Sequence, residues 1–358
     1  MSGRARMLAL VGDAWGGRGG IAQYNRDLLG ALAASGAVRT IEVLPRHAPD
    51  PAEPPAGVVQ RRARPGRIVY ALSALTAGLT GPVELVFCGH LYMAPLAALL
   101  ARLKGARLIV QTHGIEAWPR PSRLRRAAVE AADLVLAVSR HTRARVLDWA
   151  ALEPERVRVL PNTVGEAFTP GDGAPLRRAW GLEGKRVLLT VGRMSAQERY
   201  KGHDRVIAAM PRLDPDVVYV VLGDGDDRPR LEALARAQGV ADRVRFMGPV
   251  DLRTLIQAYR TADLFVMPST GEGFGIAYLE AMACGTPALG LSAAGAVDAL
   301  GDGELGTTVA EDELASAVGA ALSRPREGSA LAALVRARFG RPAFARQGVL
   351  RIGAVLTA

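Results

Sequence analysis

The sequence predicts an α/β protein built from two Rossmann-like domains that face a cleft. Its 358 residues exceed the length of one ordinary domain. Short apolar runs of strand length alternate with longer helical patterns. This alternation restarts after Pro161–Gly184, a predicted linker that carries Pro, Gly and Asp without clear periodicity. We therefore expect an N-terminal domain over residues 1–164, a second domain over 165–340, and a C-terminal helix over 341–358 that packs back on the first domain.

In the first domain, the residues Ile21–Ser35 predict a helix, because one helical face is apolar and Gly36 is a stop signal. The segment Asp50–Gly66, rich in Pro and Arg, is expected to be a flexible surface loop. Parallel strands need helical crossovers, so a doubly wound sheet follows. The predicted strands are Met7–Val11, Ile41–Leu44, Val83–Phe87, Leu108–Gln111, Leu134–Val138 and Val157–Leu160.

The second domain repeats the strand and helix alternation, and a last helix is predicted over Pro342–Val355. Its predicted strands are Val187–Val191, Val217–Leu222, Val244–Phe246, Leu264–Met267 and Thr307–Val309.

Charge is divided unevenly along the chain. Residues 1–165 hold 22 Lys and Arg against 12 Asp and Glu, whereas residues 166–358 hold 23 of each, so the whole net charge of +10 lies in the first half. Such a basic half favours nucleic acid, an anionic membrane surface or an anionic substrate as partner. The aromatic share of 5% and the lack of interleaved basic and aromatic residues disfavour nucleic acid. The obvious clusters are Arg61, Arg62, Arg64 and Arg67, and Arg120, Arg123, Arg125 and Arg126.

Three observations address the compartment. Cys88 and Cys284 are the only cysteines and lie in apolar surroundings, which is typical of buried thiols in a reducing cytosol. The uncharged stretches Ile68–Val83 and Leu85–Ala101 are interrupted by Gly or Pro and are shorter than the ~20 apolar residues of a spanning helix, so we interpret both as core elements. Met7–Val11 is interpreted as a first strand and not as a signal peptide. We expect a cytoplasmic protein, soluble or peripheral at the inner face of the cell membrane.

The strongest group of candidate functional residues is Glu272-Gly-Phe-Gly-Ile-Ala-Tyr-Leu-Glu280. Gly273 and Gly275 permit close backbone approach, and a helix that begins near Ile276 would direct free N–H groups at an anion. A carboxylate at Glu280 can accept two hydrogen bonds from the vicinal hydroxyls of a ribose. The alternative is an ordinary helix start at which the dipole favours acidic residues.

A second group comprises Arg193, which follows the first strand of the second domain, and Lys201. Open α/β sheets bind ligands at this edge, where two cations would neutralise a diphosphate leaving group. The alternative is a surface pair with no ligand. The turn Gly223-Asp-Gly225 lies at the same predicted edge, but a lone pair of glycines is weak evidence.

The N-terminal loop Gly16-Gly-Arg-Gly-Gly20 is not a dinucleotide fingerprint, because its glycine spacing is wrong and no acidic residue ends the second strand. It also lacks the Lys-Ser/Thr of a P-loop, which disfavours a dehydrogenase or an NTPase. His113 ends the predicted fourth strand, where a structural role competes with a catalytic one. No His, Cys, Asp or Glu cluster has metal-ligand spacing; Asp224-Gly-Asp226 is the nearest match, in a turn where the glycine has a conformational role.

Together these motifs resemble glycosyltransferase family 4. The resemblance rests on Arg193 with Lys201-Gly, and on Glu272-x-Phe-Gly-x-x-x-x-Glu280 followed by Ala-Met-Ala-x-Gly-x-Pro287, and it extends from Gly20-Ile-Ala-Gln23 through Pro161-Asn162 to Tyr259 and beyond. The family implies a retaining, nucleotide-sugar-dependent enzyme with the two-domain B-type fold. Members need no metal for transfer, so we expect neither a metal nor another cofactor.

The resemblance also implies a role for each matching residue. Arg193 and Lys201 bind the donor diphosphate, Glu272 contacts the donor sugar, Glu280 binds the ribose and His113 holds the donor sugar. Gly20 approaches the β-phosphate. The remaining donor contacts are Phe274, Gly275 and Ile276 at phosphate or sugar, and Val250 beside the base. The segment between Arg193 and Lys201 departs in length from some relatives, which leaves the pose of Lys201 open.

The expected substrates are a nucleotide-sugar donor and a glycan or lipid-linked acceptor in bacterial exopolysaccharide or lipopolysaccharide assembly. The segment His113-Gly-Ile-Glu-Ala-Trp118 resembles transferases of those pathways, several of which use GDP-mannose, so GDP-mannose is the favoured donor and a UDP-sugar the next. The alternatives are a soluble small-molecule acceptor, a nucleotide-sugar epimerase, or a non-catalytic sugar-nucleotide-binding protein. The arginine clusters of the first half either attach the protein to anionic lipid or form an ordinary solvated surface.

Overall fold

A computed structural model describes residues 5–50, 52–324 and 328–357. Contacts between Cα atoms divide the chain into two units, Met1–Thr163 with Arg341–Ala358, and Val164–Gly340. The C-terminal segment adds three arginines and no acidic residue to the first unit, whose net charge is therefore +13 against −3 for the second unit. The charge division is thus sharper than the two halves of the sequence indicate.

The first unit contains a seven-stranded parallel sheet in the order β3-β2-β1-β4-β5-β6-β7. The order reverses between β1 and β4, which is where open α/β sheets bind ligands. The strands are β1 Arg6–Val11, β2 Thr40–Pro45, β3 Val58–Gln60, β4 Leu85–Cys88, β5 Arg107–Thr112, β6 Leu134–Ala137 and β7 Val157–Val159.

Helical crossovers join these strands. The first helix ends as predicted, because Gly36 adopts a left-handed conformation and its N–H bonds the carbonyl of Ala33. The helices of the first unit are α1 Gly20–Ser35, α2 Arg67–Leu79, α3 Ala94–Lys104, α4 Arg123–Glu130, α5 Arg140–Trp149 and, from the C-terminal segment, α14 Arg341–Thr357.

The C-terminal helix α14 packs on α1 within the first unit. Phe344 meets Tyr24 edge to face with ring centroids 5.3 Å apart, Ile352 is fully buried, and Arg341 forms an ion pair with Asp27 at 3.2 Å. The absence of a side chain at Gly348 lets α1 approach, since a Cβ there would lie 2.8 Å from Leu28.

The second unit contains a six-stranded parallel sheet in the order β10-β9-β8-β11-β12-β13, with its reversal between β8 and β11. Strands β9, β11 and β13 have the predicted bounds. The strands are β8 Arg186–Val191, β9 Val217–Leu222, β10 Val244–Gly248, β11 Leu264–Met267, β12 Ala288–Leu291 and β13 Thr307–Val309.

Eight helices of the second unit lie among its described residues, and those that follow strands begin at the carboxyl edge of the sheet. They are α6 Ala174–Ala179, α7 His203–Ala209, α8 Arg228–Ala237, α9 Leu252–Thr261, α10 Ile276–Ala283, α11 Ala296–Ala299, α12 Leu314–Leu322 and α13 Gly328–Phe339.

Four sequence interpretations need correction. The loop predicted over Asp50–Gly66 contains strand β3, which pairs with the edge of β2. The predicted linker Pro161–Gly184 contains helix α6 and packs on α9, where Arg260 donates to the carbonyl of Thr169 at 2.8 Å. Strand β12 was not predicted, because Pro287 and Gly290 interrupt its four-residue pattern. The stretch Ile68–Val83 is not wholly a core element, since α2 has an exposed apolar side as well as a buried one.

Both cysteines are buried and free, as predicted. Burial raises the pKa of the Cys88 and Cys284 thiols to about 12, which keeps both protonated. In the described part of the chain, no helix is long and apolar enough to cross a membrane.

Candidate active site

The candidate site of the second unit is built from the loops that follow β8, β9, β11 and β12. Parallel strands end at the same edge of a sheet, and the loops after β8 and β11 flank the point where strand order reverses. Arg193 and Lys201 lie in the first of these loops and Glu272 in the third. The fold therefore brings these three predicted residues to one edge.

Close backbone contact fixes the loop that carries Arg193. Its neighbour Met194 donates its N–H to the carbonyl of Asp224 at 3.0 Å. A Cβ at Gly223 would lie 2.1 Å from the carbonyl oxygen of Gly192, and one at Gly225 would lie 2.1 Å from that of Met194. Only glycine fits at both positions, so the Gly223-Asp-Gly225 turn positions Arg193. The sequence contains this motif, but its spacing does not identify the loop it contacts.

Each of the two predicted diphosphate-binding cations is paired with a carboxylate in this structure. The exposed guanidinium of Arg193 contacts the carboxylate of Glu198, whose other oxygen is buried and has no partner among the described residues. Lys201 Nζ lies 3.1 Å from Glu272 Oε1, and both side chains are mostly buried. The carboxylates of Glu198 and Glu272 therefore neutralise the two cations that the sequence assigns to a diphosphate.

Lys201 is held by the loop after β11. The backbone carbonyl of Tyr200 accepts a hydrogen bond from the N–H of Thr270 at 2.9 Å. At Gly202, where φ is 78°, a Cβ would lie 2.3 Å from the carbonyl oxygen of Pro268. The departure in length between Arg193 and Lys201 thus leaves Lys201 at the same edge as Glu272, in a short helical turn over Ala196–Lys201.

A buried polar chain lies beneath this loop. His203 Nδ1 is 3.3 Å from the hydroxyl of Tyr219, which donates to Thr190 Oγ1 at 2.9 Å; Thr190 in turn donates to the carbonyl of Val266. Burial lowers the pKa of His203 to about 4, so the imidazole is neutral at pH 7. Sequence reasoning missed this chain, which links β8, β9 and β11 below the candidate site.

The loop before helix α10 brings backbone N–H groups to the same edge. Gly275 is the residue before the helix, with φ of 97°, and a Cβ there would also lie 2.5 Å from Tyr278. The first amides of a helix, here Ile276 and Ala277, have no partner within it and attract anions. Phe274 is buried and anchors the turn, so it offers its backbone and not its ring.

The loop after β12 supports this turn. Gly295 donates its N–H to the carbonyl of Glu272 at 2.9 Å, and a Cβ at Gly295 would lie 2.1 Å from the carbonyl oxygen of Gly273. A fourth loop thus fixes the backbone on both sides of the predicted sugar contact.

Glu280 lies within α10, and the hydroxyl of Tyr259 donates to its carboxylate at 2.8 Å. Burial raises its pKa to about 7, against the lowering effect of the Tyr259 hydrogen bond. The residue as a whole is only partly buried. Its carboxylate is a hydrogen-bond acceptor whose charge changes near neutral pH.

Val250 follows β10, one strand further from the point of reversal than β9. Gly223 donates its N–H to the carbonyl of Gly248 at 2.9 Å, which joins the loop of Val250 to the loop after β9. Val250 is therefore linked to the Arg193 loop through one intervening turn.

His113 and Gly20 belong to the first unit. His113 Nε2 is 2.9 Å from the carbonyl of Gly89, so this nitrogen carries the proton, and the ring packs edge to face on Tyr24 at 5.3 Å. Burial lowers the pKa of His113 to about 4. The neutral ring leaves Nδ1 as an acceptor for a hydroxyl donor. Gly20 is the first residue of α1, at the sheet edge where β1 ends.

No group of three or more His, Cys, Asp or Glu residues with the geometry of a metal site occurs in residues 5–50, 52–324 and 328–357.

Two family models match the chain. One, described as Glycosyltransferase Family 4, covers residues 18–168, and the other, described as Glycosyl transferases group 1, covers residues 174–333. The two matches correspond to the two units of the structure.

Two curated relatives share more than a third of the aligned positions. A D-inositol 3-phosphate glycosyltransferase of Geodermatophilus obscurus is 36% identical over 243 residues, which cover 64% of this chain and 53% of that protein. A GDP-mannose-dependent alpha-(1-6)-phosphatidylinositol monomannoside mannosyltransferase of Mycolicibacterium smegmatis is 34% identical over 272 residues, which cover 70% of each protein. The chain thus spans about half the length of the first relative.

Among solved structures, that of HepE from Anabaena in complex with UDP and glucose has a TM-score of 0.78 to this chain at 21% identity. The match covers 98% of this chain and 100% of the other. This similarity shows that the two proteins share a fold.

We predict that Gly225→Ala lowers affinity for the donor nucleotide by about tenfold, because displacing the Met194 carbonyl moves Arg193; overpacking of this kind costs about 1–3 kcal/mol. Calorimetric titration of the donor nucleotide measures the effect. Gly319→Ala in α12, where a Cβ would have no neighbour within 4 Å, is the matched control and leaves affinity unchanged. Unaltered binding by a folded Gly225→Ala protein contradicts the positioning role of the turn.

The raised pKa of Glu280 predicts that nucleotide affinity increases from pH 6 to pH 8. If the ribose hydroxyls donate to the ionised form, affinity follows the ionised fraction, which grows about tenfold between pH 6 and pH 8 for a pKa near 7. Glu280→Gln removes this component, so the ratio of wild-type to variant affinity, measured by titration at several pH values, rises with pH. A ratio that stays constant removes Glu280 from the binding site.

The same ionisation affects stability. A carboxyl group whose pKa is raised on folding makes the native state less stable at high pH. This loss of stability develops as pH rises from the ordinary value of 4.5 to about 7 and is complete above that. The Glu280→Gln protein is therefore expected to melt at a higher temperature than wild type at pH 8, with the difference closing toward pH 5. This measurement also establishes that the variant is folded.

Proposed function

The chain belongs to glycosyltransferase family 4, and on that premise we propose that it transfers a hexose from a nucleoside-diphosphate sugar to a phosphate-bearing acceptor with retention at the anomeric carbon. The observation that carries the proposal is the arrangement at one sheet edge of Arg193, Lys201 and the first turn of α10, with Glu280 inside that helix. Two cations and free amides suit a diphosphate, and the carboxylate suits the hydroxyls of a ribose.

The chemistry is a substitution at the anomeric carbon. The bond from this carbon to the diphosphate oxygen breaks, the acceptor oxygen bonds the same face, and the acceptor's proton passes to the departing diphosphate. Charge grows on the leaving group during this step, so Arg193, Lys201 and the amides before α10 stabilise the transition state more than the ground state. No separate catalytic base is required, in agreement with the neutral, low-pKa state of His113.

The role of Glu272 follows from its position. Its carboxylate bonds Lys201 at 3.1 Å and its carbonyl is held by Gly295, so the side chain lies beside the cation that we assign to the diphosphate. We assign it to a hydroxyl of the donor sugar. In this mechanism the enzyme needs no metal, because the two basic side chains supply the positive charge that a divalent cation otherwise provides.

GDP-mannose is the donor that we favour, with a UDP-sugar next. The mycolicibacterial relative carries GDP-mannose dependence in its name, whereas the solved Anabaena relative is in complex with UDP. Glu280 addresses the ribose, which both nucleotides share, so it does not discriminate between them.

The acceptor that we propose is a lipid-linked glycan of exopolysaccharide or lipopolysaccharide assembly, reached by peripheral attachment to the inner face of the cell membrane. The first unit carries a net charge of +13, which attracts a phosphate-bearing molecule. A soluble phosphorylated acceptor is the second candidate, favoured by the relative that is named for D-inositol 3-phosphate.

A panel of GDP- and UDP-sugars, incubated with the enzyme and candidate acceptors in the presence of EDTA, tests the proposal. We expect one donor to be consumed, with release of the nucleotide only when an acceptor is present. We also expect the anomeric configuration of the new linkage, measured by NMR of the product, to match that of the donor. Loss of transfer in EDTA with recovery on adding magnesium or manganese contradicts the metal-free mechanism. An inverted linkage contradicts retention.

We predict that Arg193→Gln and Lys201→Gln lower kcat more than they raise KM, because charge develops on the diphosphate only as the bond breaks. Loss of a hydrogen bond to a charged group costs about 1.5–3 kcal/mol, or roughly tenfold to more than a hundredfold in rate. Steady-state kinetics measure both constants. Arg199→Gln, which removes a neighbouring arginine paired with Asp227, is the control and has a smaller effect on kcat. Equal kcat in wild type and Arg193→Gln would exclude Arg193 from leaving-group stabilisation.

A further inference from the structure

Exposed apolar side chains concentrate in one part of the first unit. Fourteen large apolar side chains of the described residues are exposed, and ten of them lie between residues 59 and 124. These ten are Val59, Ile68, Val69, Leu72, Leu79, Tyr92, Leu99, Leu103, Ile115 and Leu124.

The same stretch contains almost all of the chain's excess charge. Residues 61–126 hold eleven Lys and Arg against two Asp and Glu, a net charge of +9 in a chain whose total is +10. Exposed apolar side chains and a net positive charge thus coincide in this part of the chain.

The fold places these residues side by side. Helix α3 packs against both α2 and α4, so the three helices cover one region of the sheet. Helices α2 and α4 follow β3 and β5, and their first turns therefore lie at the carboxyl edge of the sheet, where His113 also follows β5. We call residues 61–72 and 120–126, together with Tyr92, the basic rim.

The apolar side chains of the rim point away from the core. Ile68 is 77% and Leu72 is 60% exposed, one helical turn apart on α2, whereas Tyr70 and Ala74 on the same helix are buried. Leu124, in the first turn of α4, is 69% exposed. Helix α2 thus carries two apolar stripes, and the structure provides a partner for only one of them.

Several arginines of the rim are equally without partners. In the part of the chain that the structure describes, Arg62, Arg64 and Arg67 form no ion pair, whereas Arg61 bonds Glu42 at 2.7 Å. On α4, Arg125 lies 4.7 Å from the centre of the Tyr92 ring and Arg126 pairs with Glu130. The free guanidinium groups lie mainly beside Ile68 and Leu72, at the start of α2.

We infer that the basic rim docks on an anionic lipid surface, with the first turns of α2 and α4 inserted at the headgroup boundary. An interfacial helix combines basic groups that attract anionic headgroups with apolar side chains that leave water. A second copy of this unit carries the same charge of +13 and is repelled. Nucleic acid would use the arginines, but Tyr92 is the one aromatic side chain among the exposed apolar residues that the structure describes in the rim, and Arg125 lies over its ring; the others are aliphatic and offer bases no stacking surface.

This inference rests on the proposed function in one respect only, the delivery of a lipid-linked acceptor to the enzyme. Because the rim lies at the edge that carries His113, docking there brings lipid headgroups to the end of β5 and presents a lipid-linked acceptor to that edge. Docking itself requires neither donor nor catalysis.

Sedimentation of the full chain with vesicles tests the inference. We expect binding to vesicles of phosphatidylcholine with phosphatidylglycerol and none to phosphatidylcholine alone. Binding weakens as salt rises, since exposed charges are screened beyond about 8 Å at physiological ionic strength. Each arginine near the surface contributes about fivefold in partition, so Arg62→Gln, Arg64→Gln and Arg67→Gln combined reduce binding by well over tenfold.

The apolar contribution is tested by Ile68→Ser combined with Leu72→Ser, which we expect to reduce partition at least about fivefold. The matched control replaces Leu334 and Leu350, which are 57% and 73% exposed on α13 and α14, with Ser and leaves binding unchanged. Melting temperatures show that each variant is folded. The inference is overturned if the control loses as much binding, or if the Ile68→Ser/Leu72→Ser protein binds like wild type. It is also overturned if the protein sediments with neither kind of vesicle, or binds an oligonucleotide but no vesicles.

Turnover of the donor with a water-soluble acceptor, measured without vesicles, separates the two proposals. The rim variants keep wild-type turnover in this assay, because none of the altered residues is placed at the donor. A protein that binds vesicles through the rim but transfers no sugar refutes the proposed function and leaves the docking surface. A protein that transfers sugar but does not bind anionic vesicles refutes the docking surface and leaves the proposed function.

Discussion

Backbone contact between loops is the constraint on which the candidate site depends. Four parallel strands of the second sheet end at one edge, and the loops that follow them approach until glycine hydrogens touch carbonyl oxygens, at Gly223, Gly225 and Gly295. A methyl group at any of these positions would separate the loops. These contacts position the backbones that carry Arg193 and Glu272.

Beneath this edge the structure buries polar groups among its strands. The chain from His203 through Tyr219 to Thr190 is satisfied by hydrogen bonds, whereas Glu280 holds a carboxyl group where burial raises its pKa to about 7. An apolar side chain in place of Glu280 would avoid this cost of burial. The presence of these polar groups at the loops of the candidate site is the pattern expected of residues kept for binding, as perturbed groups commonly are.

The sequence predicted the two-domain architecture because strands such as Val217–Leu222 are continuous apolar runs, which buried parallel strands require. It did not predict β3 or β12, which are short and bordered by Gly or Pro, nor the exposed stripe of α2, since composition does not distinguish a face that packs from one that does not. For the candidate site it predicted the charged residues through their motif. It could not predict the role of Gly223-Asp-Gly225, because the loop that this turn contacts lies 30 residues earlier in the chain.

The pairing of Arg193 with Glu198 and of Lys201 with Glu272 has a consequence for how an anion arrives. Because Arg193 and Lys201 each already have a counter-ion, a diphosphate that binds them must displace the carboxylates of Glu198 and Glu272. The electrostatic gain on binding is the difference between two neutralised states, which is smaller than the attraction of two free cations. A singly charged anion gains little from such an exchange, whereas a diphosphate can replace both carboxylates at once. Two paired cations of this kind favour a ligand that carries at least two negative charges, whatever sugar or base is attached to it.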